Sequence, residues 1–142
     1  VSKEYIYRIY NGTVRDPFSV GRAYHYKYRL DEEMLDRQAK DYIGIHDFSS
    51  FRAVGSDVAT TVRTIFNAGV FRDGDTVCFR VEGNGFLYNM VRIMAGTLIY
   101  IAEGKIRQGS VPEILASRDR LCAGMTLPPD GLYLNKVNYE RF

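Results

Sequence analysis

Hydrophobic and polar positions in this chain repeat with two different periods, and the switches between them predict its elements. Tyr5, Tyr7 and Ile9 alternate with Ile6, Arg8 and Tyr10, a period of two that predicts a strand ended by the turn signal Asn11-Gly12. Residues 13–22 read as a loop with Pro17 and Gly21, and Tyr24, Tyr26 and Tyr28 then alternate with His25, Lys27 and Arg29 as a second extended segment. Asp31 is a good N-cap, with Glu32 and Glu33 behind it where the helix dipole favours anions. Leu35, Ala39 and Tyr42 keep helical spacing from there, and Gly44 is expected as the C′ residue. The stretch from His46 to Arg52 is a dense mix of polar and aromatic residues with no clean period.

Residues 61–71 and 76–86 predict two strands joined by Asp73-Gly74, a turn in which glycine supplies positive φ. Gly83-Asn84-Gly85 marks a bend where backbone comes close to something. From Leu87 the period becomes helical. Leu87, Met90, Val91, Met94, Ala95 and Leu98 share one face, and Ile93, Thr97 and Tyr100 make the other face apolar too, so this helix should be central. Ser110-Val111-Pro112-Glu113 fits a capping box before a short helix. After the turn Pro128-Pro129-Asp130-Gly131, residues 132–139 predict a closing strand. The sum is a single α+β domain over residues 1–142, a mainly antiparallel sheet with helices packed on one face.

Composition narrows the function classes. With 46% hydrophobic and 25% charged residues among 142, the chain can bury a core and is not of the disordered class. No apolar run approaches the roughly 20 residues of a membrane span. Cys78 and Cys122 form no Cys-x-x-Cys pattern and read as reduced, mostly buried thiols of a cytoplasmic protein. Two histidines, His25 and His46, offer little material for a metal site, so no metal is expected. Gly-rich phosphate loops, dinucleotide fingerprints and a Gly-x-Ser-x-Gly elbow are all missing from the sequence. The chain begins with Val and enters a strand at once, which reads as a piece of a longer protein.

A net charge of +2 is uninformative, but its distribution is less so. Fourteen of the nineteen cations are Arg, the better fork for phosphate and the better stacking partner for bases. Residues 1–30 hold six cations against two anions, and six of the eleven tyrosines. Basic residues interleaved with aromatics suit an unstacked polyanion, although strands favour tyrosine in any case.

Three places carry candidate chemistry. Arg92 is the only charged residue between Glu82 and Glu103, set in the second turn of an apolar helix with no carboxylate within four positions. Either it reaches the helix edge and meets water, or it takes a carboxylate from elsewhere in the fold or from outside this chain. Tyr5 and Tyr7 could stack on a base and offer a hydroxyl, or pack in the core. His46-Asp47 could form a general-base pair, but adjacent residues seldom address one substrate. A packing and capping role with Phe48 and Phe51 buried is preferred, and Arg52 is a candidate phosphate contact.

Four stretches together resemble the C-terminal half of the tRNA pseudouridine synthase A family. They are Lys3-Glu4-Tyr5-Ile6-Tyr7-Arg8-Ile9-Tyr10-Asn11, Gly44-Ile45-His46-Asp47-Phe48-Ser49-Ser50-Phe51-Arg52, Gly83-Asn84-Gly85-Phe86-Leu87-Tyr88-Asn89-Met90-Val91-Arg92 with Gly96, and Pro129-Asp130-Gly131-Leu132-Tyr133-Leu134 with Tyr139. The resemblance implies an isomerase that converts uridines of the tRNA anticodon stem-loop (positions 38–40 in tRNA numbering) to pseudouridine without cofactor or metal. An aspartate attacks the flipped-out nucleotide, the glycosidic bond breaks, and the uracil turns and rejoins through carbon. Tyr5 matches the active-site tyrosine that stacks on the base and helps remove the last proton. Arg92 matches the arginine that pairs with the catalytic aspartate. Arg8, Arg52, Tyr88 and Asn89, in the same stretches, are the residues expected to meet RNA. The resemblance also implies a homodimer that holds tRNA in basic clefts using both subunits.

The departure is large. The family's nucleophile lies in a Gly-Arg-Thr-Asp stretch of its N-terminal half, and none of the ten aspartates here follows Arg-Thr. The chain alone is therefore expected to be inactive, with an exposed sheet edge that invites self-association. Arg92 is expected to take another acidic partner or face solvent. The competing reading is a non-catalytic RNA-binding or dimerisation module.

Overall fold

The computed structural model describes residues 1–53 and 58–139. Strand β1 (Ser2–Tyr10) lies at the centre of the sheet, antiparallel to β5 (Thr76–Gly83), which pairs with β4 (Val62–Asp73), which pairs with β3 (Gly44–Asp47). The other edge of β1 is shared. β6 (Leu132–Asn138) covers residues 2–7 antiparallel, and the two-residue β2 (Tyr24–His25) pairs parallel with Ile9 and Tyr10. The sheet is thus mainly antiparallel, as expected, with one short parallel pair. The outer edge of β6 has no strand partner among the described residues.

Alternation sorts the two faces. Tyr7 and Ile9 on β1, Val77, Phe79 and Val81 on β5, and Ile65, Ala68 and Val70 on β4 are buried beneath the helices. The opposite face carries Arg8, Arg80 and Glu82 among others, because residues one step apart point to opposite sides. The Asp73-Gly74 hairpin forms where expected, with Gly74 at φ +60°.

Helix α1 (Glu32–Lys40) starts as expected, Asp31 Oδ1 accepting the Met34 N–H at 3.1 Å. Its polar side closes the part of the β4 edge that β3 does not reach: Asp36 accepts the Val70 N–H at 2.9 Å, and Lys40 donates to the Ala68 carbonyl at 2.8 Å. Such side chains keep an edge from templating another strand. The helix ends earlier than its pattern suggests. Tyr42 turns into the core, where its hydroxyl donates to the Met94 carbonyl at 3.0 Å, so Gly44 does not cap the helix but opens β3 at φ +120°. Strand β3 itself carries no period-two signal, since Ile45 faces solvent.

The segment after β2 is extended but not a strand. Asn11 takes its backbone instead, donating to the Tyr26 and Tyr28 carbonyls at 2.7 Å each, while its Oδ1 accepts the Leu30 N–H. The aromatic face does form, with ring centroids of Tyr24–Tyr26 and Tyr26–Tyr28 at 6.4 and 5.8 Å.

Helix α2 (Met90–Ala102) is the central helix its all-round apolarity predicts, with ten of its thirteen residues buried. Residues 123–127 cross it at backbone distance: a Cβ on Gly96 would stand 1.7 Å from the Met125 carbonyl oxygen, so only glycine fits. Thr97 Oγ1 ties the crossing, donating to the Ile93 carbonyl and accepting the Gly124 N–H at 2.9 Å. Helix α3 (Val111–Ser117) forms without the expected capping box. Ser110 makes no side-chain cap, and Glu113 pairs with Arg107 at 3.3 Å instead. Cys78 is buried as expected, but Cys122 is exposed on a 3-10 turn. No described helix is long and apolar enough to cross a membrane.

Candidate active site

The recess of interest lies where β1, the start of α2 and the turn before β6 meet. β5 ends at Gly83, and Asn84 holds the exit by exchanging bonds with Thr64, N–H to carbonyl at 3.0 Å and Oδ1 to N–H at 2.9 Å. The chain then turns once, the Met90 N–H bonding the Leu87 carbonyl, before α2 begins. The helix therefore starts three residues later than its apolar pattern, and Arg92 falls in its first turn rather than its second. The physical cause is Asn89, whose φ of 62° is left-handed and cannot continue a right-handed helix. The turn leaves the Tyr88 side chain on the surface, 67% exposed.

The two tyrosines of β1, equivalent in sequence, separate in space. Tyr7 is fully buried, and its hydroxyl donates to the Pro128 carbonyl at 2.6 Å. Burial pushes its pKa well above the ordinary tyrosine value, against the lowering influence of the Arg92 charge nearby. Tyr7 is a core residue. Tyr5, two residues earlier on the same face, is only half-buried and meets the Phe86 ring edge-on, centroids 5.0 Å apart at 83°.

Arg92 is half-buried beside them. Its Nε donates to the Leu127 carbonyl at 2.7 Å and its Nη1 to Asn89 Oδ1 at 2.8 Å. Both acceptors are neutral. Among the described residues no carboxylate lies within 4.0 Å of the guanidinium, so Arg92 takes no acidic partner within the described chain. The Leu127 carbonyl is where it is because of the glycine crossing over α2, and the Leu127 N–H returns a bond to the Arg92 carbonyl at 3.3 Å.

Tyr5, Phe86, Tyr88, Asn89, Arg92 and Leu132 line a recess of about 260 Å³. It is not the largest hollow, since that around His46, Asp47 and Arg118 measures about 460 Å³. It joins a half-buried guanidinium, with no carboxylate partner among the described residues, to the aromatic rings of Tyr5, Phe86 and Tyr88. A planar, anionic or phosphate-bearing ligand is what such walls suit.

Of the six candidate residues, the fold brings Tyr5, Tyr88, Asn89 and Arg92 to this recess. The Ala53 N–H donates to the Tyr88 carbonyl at 3.2 Å, which brings the stretch ending in Arg52 to its neighbourhood. Arg8 is exposed on the other face of the sheet, its guanidinium 5.8 Å from the Tyr133 ring. Phe86 and the Leu127 carbonyl were not legible as site groups. The first sits in a glycine-flanked bend that flags close approach without naming a role, and the second is backbone.

His46 and Asp47 do not form a pair. The His46 Nε2 bonds the Ile43 carbonyl at 2.9 Å, and Asp47 accepts the Thr61 hydroxyl at 2.7 Å, the Ser49 N–H at 3.0 Å and the Ser49 hydroxyl. Burial works against the Asp47 charge, but the bonds from Ser49 and Thr61 outweigh it and hold the carboxyl below its usual range. Phe48 and Phe51 are fully buried, so this stretch has the packing role expected of it. No cluster of three or more His, Cys, Asp or Glu suited to a metal occurs among the described residues.

Residues 38–140 match the sequence pattern of the family described as tRNA pseudouridine synthase. The tRNA pseudouridine synthase A of Acetivibrio thermocellus is 46% identical over 96% of this chain and 56% of its own length. That of Halalkalibacterium halodurans is 45% identical over 96% of this chain and 52% of its own length. That of Geotalea uraniireducens is 44% identical over 97% and 57%. The chain thus spans about half the length of these relatives.

Proposed function

The chain belongs to the tRNA pseudouridine synthase family, and from that premise we propose that it supplies one half of a tRNA-modifying isomerase site, the half that stacks the base and orients the nucleophile. The observation that carries the reading is Arg92. A half-buried guanidinium held by two neutral oxygens, with no carboxylate in reach among the described residues, is built to receive an anion it does not yet have. The nucleophilic aspartate of a Gly-Arg-Thr-Asp stretch, which this sequence lacks, is that anion.

In this reading the target uridine of the tRNA anticodon stem-loop is flipped into the recess. Tyr5 is open to lie against the uracil while Phe86 braces it from the side. The reaction is an isomerisation. The bond from the sugar to N1 breaks, a bond from the same sugar carbon to C5 forms, and the proton lost from C5 is balanced by one gained at N1. Arg92 keeps the attacking carboxylate ionised and aimed, and Tyr5 assists the departure of the C5 proton. Arg52 and Tyr88, at or near the rim, meet the RNA backbone and a neighbouring base. The complete protein acts in the cytoplasm as a homodimer.

The test is pseudouridine formation on an anticodon stem-loop RNA. This chain alone should give none above background, and the chain joined to an N-terminal half with the Gly-Arg-Thr-Asp stretch should turn over. Turnover by the chain alone would refute the half-site reading, and silence of the joined protein would refute the reaction.

A further inference from the structure

Among the described residues only Asn89 and Arg118 combine a side chain with positive φ. Asparagine reaches that region more readily than most residues, but at the start of a helix it ordinarily uses its side chain to cap the first N–H groups. Asn89 does not: its side chain makes no cap bond to α2. Its Oδ1 faces Arg92 Nη1 at 2.8 Å instead, three residues on, where one helical turn brings side chains together. The Leu127 carbonyl takes Nε at 2.7 Å, from a segment pinned across α2 by the Gly96–Gly124 crossing. Two separate elements therefore hold the guanidinium plane. Nη2 has no hydrogen-bond partner among the described residues, and Arg92 lines the recess. Neutral acceptors orient the group without cancelling its charge, whereas a carboxylate in the place of Asn89 would neutralise it.

We infer that Asn89 is the positioning residue for Arg92. Its left-handed backbone turns Oδ1 onto the guanidinium and keeps the unpaired nitrogen towards the recess, where a carboxylate can dock. The inference deepens the proposed isomerase reading and rests on it for its consequence in catalysis, but its geometry can be tested in this chain by itself.

Two substitutions separate the side chain from the backbone. Asn89→Gly keeps the left-handed turn and removes only the acceptor, and Asn89→Asp keeps both. In NMR of the arginine side chains, the Arg92 Nε–H and Nη signals should be resolved and slow to exchange in the native chain and in Asn89→Asp. In Asn89→Gly the Nη signals should merge and exchange at least tenfold faster, while the other arginines stay unchanged. A residue that only shaped the turn would shift the unfolding midpoint and leave Arg92 like its neighbours. Unchanged Arg92 signals in Asn89→Gly would overturn the inference. In the joined, complete protein Asn89→Gly should lower kcat on the order of 10- to 100-fold with KM for tRNA within about twofold. A loss confined to KM would also overturn it. If the unsubstituted joined protein forms no pseudouridine, the reaction reading fails, and the NMR result still decides whether Asn89 sets Arg92.

Discussion

Two regions of this chain gather polar groups capable of chemistry, and they differ in how far those groups are satisfied. Asp47 sits among the Thr61 and Ser49 hydroxyls, the Ser49 N–H and, at 3.5 Å, the Arg118 guanidinium. Oδ1 takes all three hydrogen bonds and Oδ2 faces the Arg118 guanidinium, so the charge is met within the chain. Arg92 has two neutral acceptors and no counter-charge among the described residues. Closed networks rigidify a fold, while an open charge beside a recess is costly unless something arrives to meet it. The larger hollow thus belongs to the closed cluster and the smaller to the candidate site.

Substitution at Arg92 should break this contrast most strongly. Arg92→Lys keeps the charge but replaces a planar fork with a single ammonium, which cannot hold Leu127, Asn89 and a carboxylate together. In the joined protein, turnover should fall about 100-fold or more, on the scale of losing an oriented charged group in a site. In this chain alone, urea unfolding should change by about 1 kcal/mol or less, the net worth of one hydrogen bond. A stability loss of about 2 kcal/mol or more, with turnover kept, would make Arg92 a structural residue like Asp47.

Asp47→Asn should do the reverse. It removes the charge from a network whose members remain, so unfolding in urea should lose roughly 1–2 kcal/mol while binding of anticodon stem-loop RNA is unchanged. The pH dependence has a definite sign. The folded state holds the Asp47 carboxyl below its unfolded value near 4. Its contribution is therefore present above about pH 4 and is lost as pH falls through the depressed folded value. In Asp47→Asn the acid limb of the stability profile should be shallower, and an unchanged limb would show that Asp47 does not set it.

What the sequence made legible follows the same division. Regular periods spoke clearly: the apolar α2, the Asp73-Gly74 hairpin, the Asp31 cap and the alternation of β5 all formed. So did the specific stretches around Tyr5 and Arg92, which the fold brings to one recess. Groups whose role depends on a tertiary partner were silent. Strand β3 is four residues long, with Ile45 outward, and is a strand only because β4 pairs with it. Ser110 and Glu113 have capping-box spacing, but Glu113 bonds Arg107 instead. Asn89 lies inside an apolar helical pattern, and nothing in that pattern predicts a left-handed residue before the first turn. The Leu127 carbonyl has no side-chain signature at all.

The smallest effects test the comparison along one strand. Tyr5 and Tyr7 share a face of β1 and differ by two positions, so their sequence context is nearly identical. Tyr7→Phe leaves the Pro128 carbonyl without the hydroxyl that meets it at 2.6 Å in the core, and should cost about 1 kcal/mol of stability. That carbonyl precedes the turn into β6, but Tyr7 itself is sealed from the recess, so turnover of the joined protein should stay within about threefold. Tyr5→Phe keeps the ring against Phe86 and removes a hydroxyl at a half-buried position, so stability should stay within about 0.5 kcal/mol. On the proposed reaction its effect is kinetic: binding of RNA should persist through the ring, while kcat of the joined protein should fall with loss of the hydroxyl proposed to assist departure of the C5 proton. If both substitutions changed stability alike and neither changed kcat, Tyr5 would be core in the same sense as Tyr7, and the recess would lose its stacking wall. If they split as described, a two-residue step along β1 marks the border between the closed interior of this fold and the open half of its site.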